Sequence, residues 1–334
     1  MSVSALDQLA PTDDDLAERL RKGMAEVEIR LRETAVDSPD PLIGQAAGYL
    51  LGAGGKRWRP LLVLLGAQFG DSELTSVLDA AVTVELIHAA SLHHDDVMDD
   101  APLRHGVPSA HLRWNNKIAI LVGDHLVARG ATISLELDEP ARRAQALAFE
   151  RLVRGQLREV AGALPGQDPV EHHLEVVRDK SASLIALAVQ LGGLCGGADA
   201  GAVAALTEYG EALGMAFQLS DDVIDIVSGA DHAGKAAGTD LRAGVRTLPV
   251  LLALREAGRA GDRLREILAD GPVEDADLRA EALELLRSSP GLAAARLEVA
   301  RYARTARTAA RRLRDCPARQ ALESLGELVT ARSA

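Results

Sequence analysis

Twice in this chain an apolar helical pattern runs straight into a cluster of aspartates. "VELIHAASLH" leads into "HDDVMD" (94–99), and "GEALGMAFQL" leads into "SDDVID" (220–225). On a helix the first and last aspartates of each cluster share a face, ~6 Å apart along the axis. Like charges at that spacing destabilise a helix unless cations neutralise them. The fold must therefore bury two apolar helices and still give each acidic face a partner. The rest of the chain points the same way. "DDLAERLRKGMAEVEIRLRE" (14–33), with Thr12 as its expected N-cap, and "LEVARYARTARTAARRLRD" (297–315) are amphipathic helices, and strand-like alternation is nearly absent. The pattern predicts an all-α protein of roughly ten or more helices. With 334 residues, 47% of them hydrophobic, one large domain over 1–334 is expected, with 1–11 and the last few residues loose.

Several classes are disfavoured. The net charge of −12 argues against a nucleic-acid partner. Cys195 and Cys316 show no disulfide or metal spacing, which suits a reducing cytoplasm. The first fifteen residues lack a basic start and an apolar core, so no secretory signal is expected. The most membrane-like stretch, 183–206, is interrupted by Gln190, glycines and Asp199. It reads as a buried helix and a turn, so no integral membrane segment is expected.

Asp95, Asp96 and Asp99, and again Asp221, Asp222 and Asp225, offer hard oxygen ligands without a nearby cysteine, which suits Mg²⁺. Magnesium is held by one or two carboxylates plus substrate phosphates, so two such motifs could clamp a diphosphate. A solvated acidic helix end would explain one cluster but not a matched pair. His93 and His94 beside the first cluster could suggest a metal phosphohydrolase. The second motif has Ser220 where the first has His94, so His94 is read as structural. The cationic counterpart is "GGKRWRP" (54–60), where Lys56, Arg57 and Arg59 crowd one turn beside two glycines. Glycines let backbone amides approach an anion, and arginine grips phosphate in a fork. Arg104, Lys180 and Lys235 are further candidates. The long polar loop 228–244, which carries Lys235, is the expected lid.

The segments "GGKRWRP", "LIHAASLHHDDVMDD", "RDKSASLI", "FQLSDDVIDI" and "GKAAGTDLRAGVRTLP" occur in an order and at separations that resemble the trans-type isoprenyl diphosphate synthases, or polyprenyl synthetases, over roughly residues 40 to 330. The wording around the first motif is most similar to actinobacterial long-chain synthases that make quinone side chains. The resemblance implies an isoprenoid synthase-type helical bundle around a central cavity, a homodimer, and head-to-tail prenyl transfer in the cytoplasm. An allylic diphosphate (dimethylallyl, geranyl or farnesyl) would accept isopentenyl diphosphate with Mg²⁺, about three ions with substrate bound. Transient membrane contact would serve product release. Asp95, Asp99 and Asp221 match metal ligands, and Asp96, Asp222 and Asp225 complete the motifs. With Lys180 these form the implied catalytic set. Lys56, Arg59 and His88 match the isopentenyl diphosphate site, with Arg57 beside them. Arg104, Lys180, Ser181, Gln218 and Lys235 match allylic diphosphate contacts.

Two positions depart from the family pattern. His105 stands where a second arginine assigned to isopentenyl diphosphate is usual, and Val245 stands where a lysine is frequent, with Arg246 after it. Product length is read at Ala90 and Ser91, just before Asp95, and at Val84 deeper on the same helix. In the family a bulky aromatic near the first two acts as a floor. Here both are small, which implies a product of about C30 to C50, since each added five-carbon unit needs roughly one helical turn of depth. A short-chain (C15–C20) synthase and a non-catalytic subunit of a heteromeric synthase are the alternatives. A terpene cyclase would be expected to line its cavity with aromatics, and this chain has only eight.

Overall fold

The computed structural model describes residues 5–9, 13–36, 40–228, 237–269 and 271–332. These residues are helical nearly throughout, as the periodicity predicts. The one β element among the described residues is a hairpin of two-residue strands, Leu103–Arg104 and Val107–Pro108. His105 and Gly106 form its turn, with φ of 52° and 81°. Positive φ at both central residues gives a turn whose twist matches paired strands. Helical periodicity gives no sign of this hairpin, and Gly106 is its main sequence signal.

Contacts gather into two compact units. One comprises Met1–Glu150, Leu184–Gly210 and Ala309–Ser324; the other comprises Arg151–Ser183, Glu211–Thr308 and Leu325–Ala334.

In the first unit, the helix Asp14–Val36 buries Leu16, Leu20, Val27 and Leu31 along one stripe. Asp13 caps it, accepting the Leu16 amide at 2.7 Å. That is one residue later than the expected Thr12, which lies outside the described residues. The first aspartate helix, Thr75–Met98, has the length and mean hydropathy of a membrane span, but 61% of its most apolar window is buried inside the protein. It is a core helix ending in charge. The helix Asn116–Ser134 runs antiparallel to it. A Cβ on Gly123 would sit 2.3 Å from His94 Nε2, so only glycine leaves room for that ring. His94 Nε2 lies 3.1 Å from the Ile120 carbonyl and docks the two helices together. The 183–206 stretch forms the helix Ser183–Cys195, a turn, and the start of the second aspartate helix, Ala200–Val227.

In the second unit, the end of that helix packs into a core with Ile226, Leu241, Val250, Leu264 and Leu286. The expected loop 228–244 contains a short helix, Thr239–Ala243. Residues 229–236, including Lys235, lie outside the described residues.

His93 is 1% exposed, and neither ring nitrogen has a hydrogen-bond partner among the described residues. Burial, and then the charge of His94, push its pKa down to about 4. An unfolded histidine titrates near ~6.5. Between these values the unfolded chain binds a proton that the folded chain refuses. This contribution is complete above pH ~6.5 and is lost as pH falls towards 4, by on the order of 3 kcal/mol at most. Urea midpoints of the metal-free protein should fall over that interval, and more steeply than those of His93→Gln. Equal slopes would assign the acid loss elsewhere.

Candidate active site

A basic cluster is built in the first unit. Gly54 and Gly55, with φ of 111° and 139°, make the turn that precedes the helix Trp58–Ala67. Only glycine adopts such angles cheaply. Arg57 follows in the left-handed region at φ 58°. Its guanidinium is occupied by Glu28, by Glu85 at 3.0 Å and by the Leu51 carbonyl at 2.7 Å. Arg57, expected among the substrate contacts, is in this structure the pin that holds the turn. Arg59 differs: its Nε is buried and has no partner among the described residues. Burial lowers its pKa against the pull of Glu85. A buried guanidinium N–H without an acceptor is costly, and an incoming phosphate oxygen would relieve that cost. Lys56 is exposed on the same turn.

His88 sits among these cations. Its pKa is held well below the ordinary histidine value by burial first, then by Arg59, His105, Arg104 and Arg57. His88 is therefore a neutral hydrogen-bonding group near pH 7, and the residues that depress it mark one converging basic site. His105, at the hairpin tip, brings Nε2 to 3.8 Å from where a Cβ on Gly55 would stand.

The aspartates of each motif divide their work, which their spacing does not reveal. Asp95 is half-buried, and Asp99 is exposed at the helix end, its amide bonded to the Asp95 carbonyl at 2.8 Å. Asp96 between them is fully buried and turned inward. One of its oxygens takes Arg104 Nε at 2.8 Å and also Nη2. Asp96 thus aims Arg104, which the hairpin presents.

The second unit repeats the division. Asp222 is 3% exposed and accepts from His173 Nε2 at 3.1 Å and Gln218 Nε2 at 3.2 Å. Gln218 in turn accepts from Ser181 Oγ at 2.9 Å. Asp225 caps the helix Thr239–Ala243 by accepting the Thr239 and Asp240 amides, each at 3.1 Å. It therefore anchors the far end of the 228–244 segment. Asp221 keeps a half-exposed side chain and pairs with Arg332 at 3.0 Å, so a cation arriving at Asp221 would displace that arginine. Lys180 lies in a π-helical turn, Arg178–Ala182, and pairs with Glu159. Arg246, beside Val245, spends its Nη2 on the Leu268 carbonyl at 2.8 Å. His173, Arg332 and the π turn escaped sequence reasoning, because no local spacing joins them to the motifs.

Among the described residues no group of three or more His, Cys, Asp or Glu side chains is placed to hold a metal ion unaided. The outward carboxylates suit a hard divalent ion that takes part of its ligand shell from substrate phosphates, as Mg²⁺ does. Asp95 and Asp99, one turn apart, offer such an ion two oxygens in the first unit, and Asp221 offers a carboxylate of the same kind in the second.

The polyprenyl synthetase family profile matches residues 40–286. A nonaprenyl diphosphate synthase of Mycobacterium tuberculosis is 44% identical over 96% of this chain and 95% of its own. A geranylgeranyl pyrophosphate synthase of Corynebacterium glutamicum, solved with calcium and isoprenyl diphosphate, is 41% identical with a TM-score of 0.88, over 96% of this chain and 98% of its own. A decaprenyl diphosphate synthase of Rhodobacter capsulatus is 35% identical with a TM-score of 0.86, over 96% of this chain and 99% of its own.

Proposed function

From the premise that the chain belongs to the polyprenyl synthetase family, and is a prenyltransferase, we propose that it builds an all-trans polyprenyl diphosphate of about C30 to C50 by Mg²⁺-dependent head-to-tail condensation. The observation that carries the reading is the basic site around neutral His88, where Arg59 has a buried donor without a partner. Such a site suits an anion bound without metal, which is isopentenyl diphosphate in this reading. The allylic diphosphate is assigned to the aspartate motifs, Arg104, Lys180, Ser181, Gln218 and Lys235.

Mg²⁺ bound at Asp95, Asp99 and Asp221 would supply Lewis acidity and neutralise the leaving diphosphate. Arg104, oriented by Asp96, adds fixed positive charge where negative charge grows. The allylic C–O bond breaks and diphosphate leaves. The isopentenyl double bond attacks the resulting cation, forming the new C–C bond. The adjacent carbon then loses its proton to the departed diphosphate. No side chain has to act as a strong base, but water must be excluded.

The product names of the relatives range from geranylgeranyl to decaprenyl, so the length assignment rests on Ala90, Ser91 and Val84. Val153, Leu157 and Val160 form an exposed apolar stripe on the helix Glu139–Ala161, which suits the expected homodimer. Sedimentation should show Leu157→Glu shifted towards monomer; an unchanged dimer would place the interface elsewhere. Cytoplasmic location and transient membrane contact for product release belong to the same reading. The function itself is tested by incorporation of labelled isopentenyl diphosphate into prenyl product with an allylic primer and Mg²⁺. Incorporation should vanish on chelation and return with Mg²⁺. A non-catalytic subunit would give none at any metal concentration.

The hairpin carries a further prediction. An ordinary histidine loses its charge above pH ~6.5. His105→Arg keeps a non-glycine residue at the same positive φ and restores a permanent cation. It should lower KM for isopentenyl diphosphate several-fold above neutral pH, roughly the effect of one charged hydrogen bond. An unchanged KM at every pH would mean that His105 does not face this substrate.

A further inference from the structure

The π turn at Arg178–Ala182 interrupts the path from the helix Pro169–Val177 to the helix Ser183–Cys195. Such turns are rare and recur at functional sites. This one is held from outside. The helix Glu139–Ala161 presents residues 151, 154, 155, 158 and 159 to it, an i, i+3, i+4, i+7, i+8 stripe that is one helix face. Arg151 Nε reaches Asp179 Oδ1 at 3.2 Å, and Arg154 Nε and Arg158 Nη1 reach Oδ2 at 2.9 and 2.8 Å. Arg151 Nη2 also donates to the Arg178 carbonyl at 3.3 Å. Between the arginines, a Cβ on Gly155 would stand 2.4 Å from the Lys180 amide nitrogen, so the two backbones meet directly. Glu159 completes the stripe by pairing with Lys180.

The cluster is closed on itself. Asp179 is 5% exposed, Arg151 also binds Glu211, and Arg158 lies 4.0 Å from Glu175. It has the construction of a clamp on the backbone rather than of an anion site. What it clamps sits between two candidate substrate contacts and the second motif. Lys180 is the next residue, and Ser181 leads through Gln218 to Asp222.

We propose that Asp179 is a positioning residue for the allylic diphosphate: held by Arg151, Arg154 and Arg158, it fixes the π turn so that Lys180 and Ser181 meet that substrate. The proposal rests on the assignment of Lys180 and Ser181 made above. A purely structural Asp179 would affect both substrates alike, whereas a positioning Asp179 affects one.

The experiment is steady-state kinetics with each substrate varied in turn, on the full chain with Mg²⁺. The variants are Asp179→Asn, Arg154→Gln, Lys180→Ala and the double variant Asp179→Asn with Lys180→Ala. Small displacements of positioning groups are costly, so Asp179→Asn should raise KM for the allylic diphosphate about tenfold or more. KM for isopentenyl diphosphate should change less than about twofold. Arg154→Gln removes a half-exposed member of the clamp and should show the same selectivity, more weakly. The double variant should lose less than the product of the two single effects, since Asp179 acts partly through Lys180 and coupled residues are not additive. Equal effects on both substrates, no effect in a folded variant, or a multiplicative double variant would overturn the proposal. If Asp179→Asn does not fold, the selectivity of Arg154→Gln decides by the same criteria. An unchanged allylic KM in Lys180→Ala would remove the assignment of Lys180 itself, and the positioning role with it, by a result visible in that arm alone.

Discussion

Replacing Asp95 or Asp221 with alanine is expected to lower turnover by about a thousandfold or more, the scale of losing a charge-stabilising group in a catalytic site, and to leave the helical circular-dichroism signal intact. Both carboxylates sit on long helices and reach solvent, so folding does not depend on their burial. Asp221 is paired with Arg332 at 3.0 Å. In the proposed account Asp221→Ala removes both that pair and a metal ligand, and Arg332→Ala separates the two effects. In the proposed account Arg332→Ala lowers the Mg²⁺ concentration needed for half-maximal activity, because no arginine competes for Asp221. Asp96 and Asp222 behave otherwise. They are buried on Arg104 and on His173 with Gln218, so their loss should lower thermal stability as well as activity. Near-normal rates in both Asp95→Ala and Asp221→Ala would refute the metal assignment.

Ser91→Phe is expected to shorten the product by several five-carbon units. On the first aspartate helix Val84, His88, Ser91 and Asp95 recur at four, three and four residues and share a face. Ser91 therefore lies directly below the acid that opens the site, with Val84 two turns deeper. Ala90 lies on another face, with Thr83, Ile87 and His94, and that face packs on the helix Asn116–Ser134 through Gly123 and Gly130. Ala90 is 1% exposed, and its smallness also serves this close approach. Ala90→Phe should thus shorten the product and also cost about 1–3 kcal/mol of stability through overpacking. Ser91→Phe, at a half-buried position, should shorten the product with little thermal penalty. Chromatography of the dephosphorylated products, with melting curves for each variant, reads both. Product length unchanged in both variants would mean that another helix supplies the floor.

Much of this was legible in the chain because it is local. Helical periodicity, the glycine turn before Trp58 and the paired aspartate motifs are each written within a few residues. The roles inside the motifs were not legible. Asp95 and Asp96 are neighbours of one residue type, and only burial against Arg104 separates an outward carboxylate from an inward anchor. Arg57 and Arg59 are equally alike on paper. Glu28 and Glu85, far away in sequence, occupy the first and leave Arg59 Nε without a partner among the described residues. The clamp on Asp179 depends on arginines more than twenty residues upstream, and spacing within a motif is blind to such pairs. The His105–Gly106 hairpin was hidden for the opposite reason: it is too short to have a periodicity.

The most direct test of the central claim is the length of the product that the unaltered protein makes. Purified protein would be incubated with Mg²⁺, labelled isopentenyl diphosphate and farnesyl diphosphate, and the dephosphorylated products separated by reversed-phase chromatography. The account predicts linear polyprenols ending between about C30 and C50, the depth that small residues at Ala90 and Ser91 leave along the helix. Products ending at C20 or below, cyclic hydrocarbons, or no incorporation with Mg²⁺ present would contradict it.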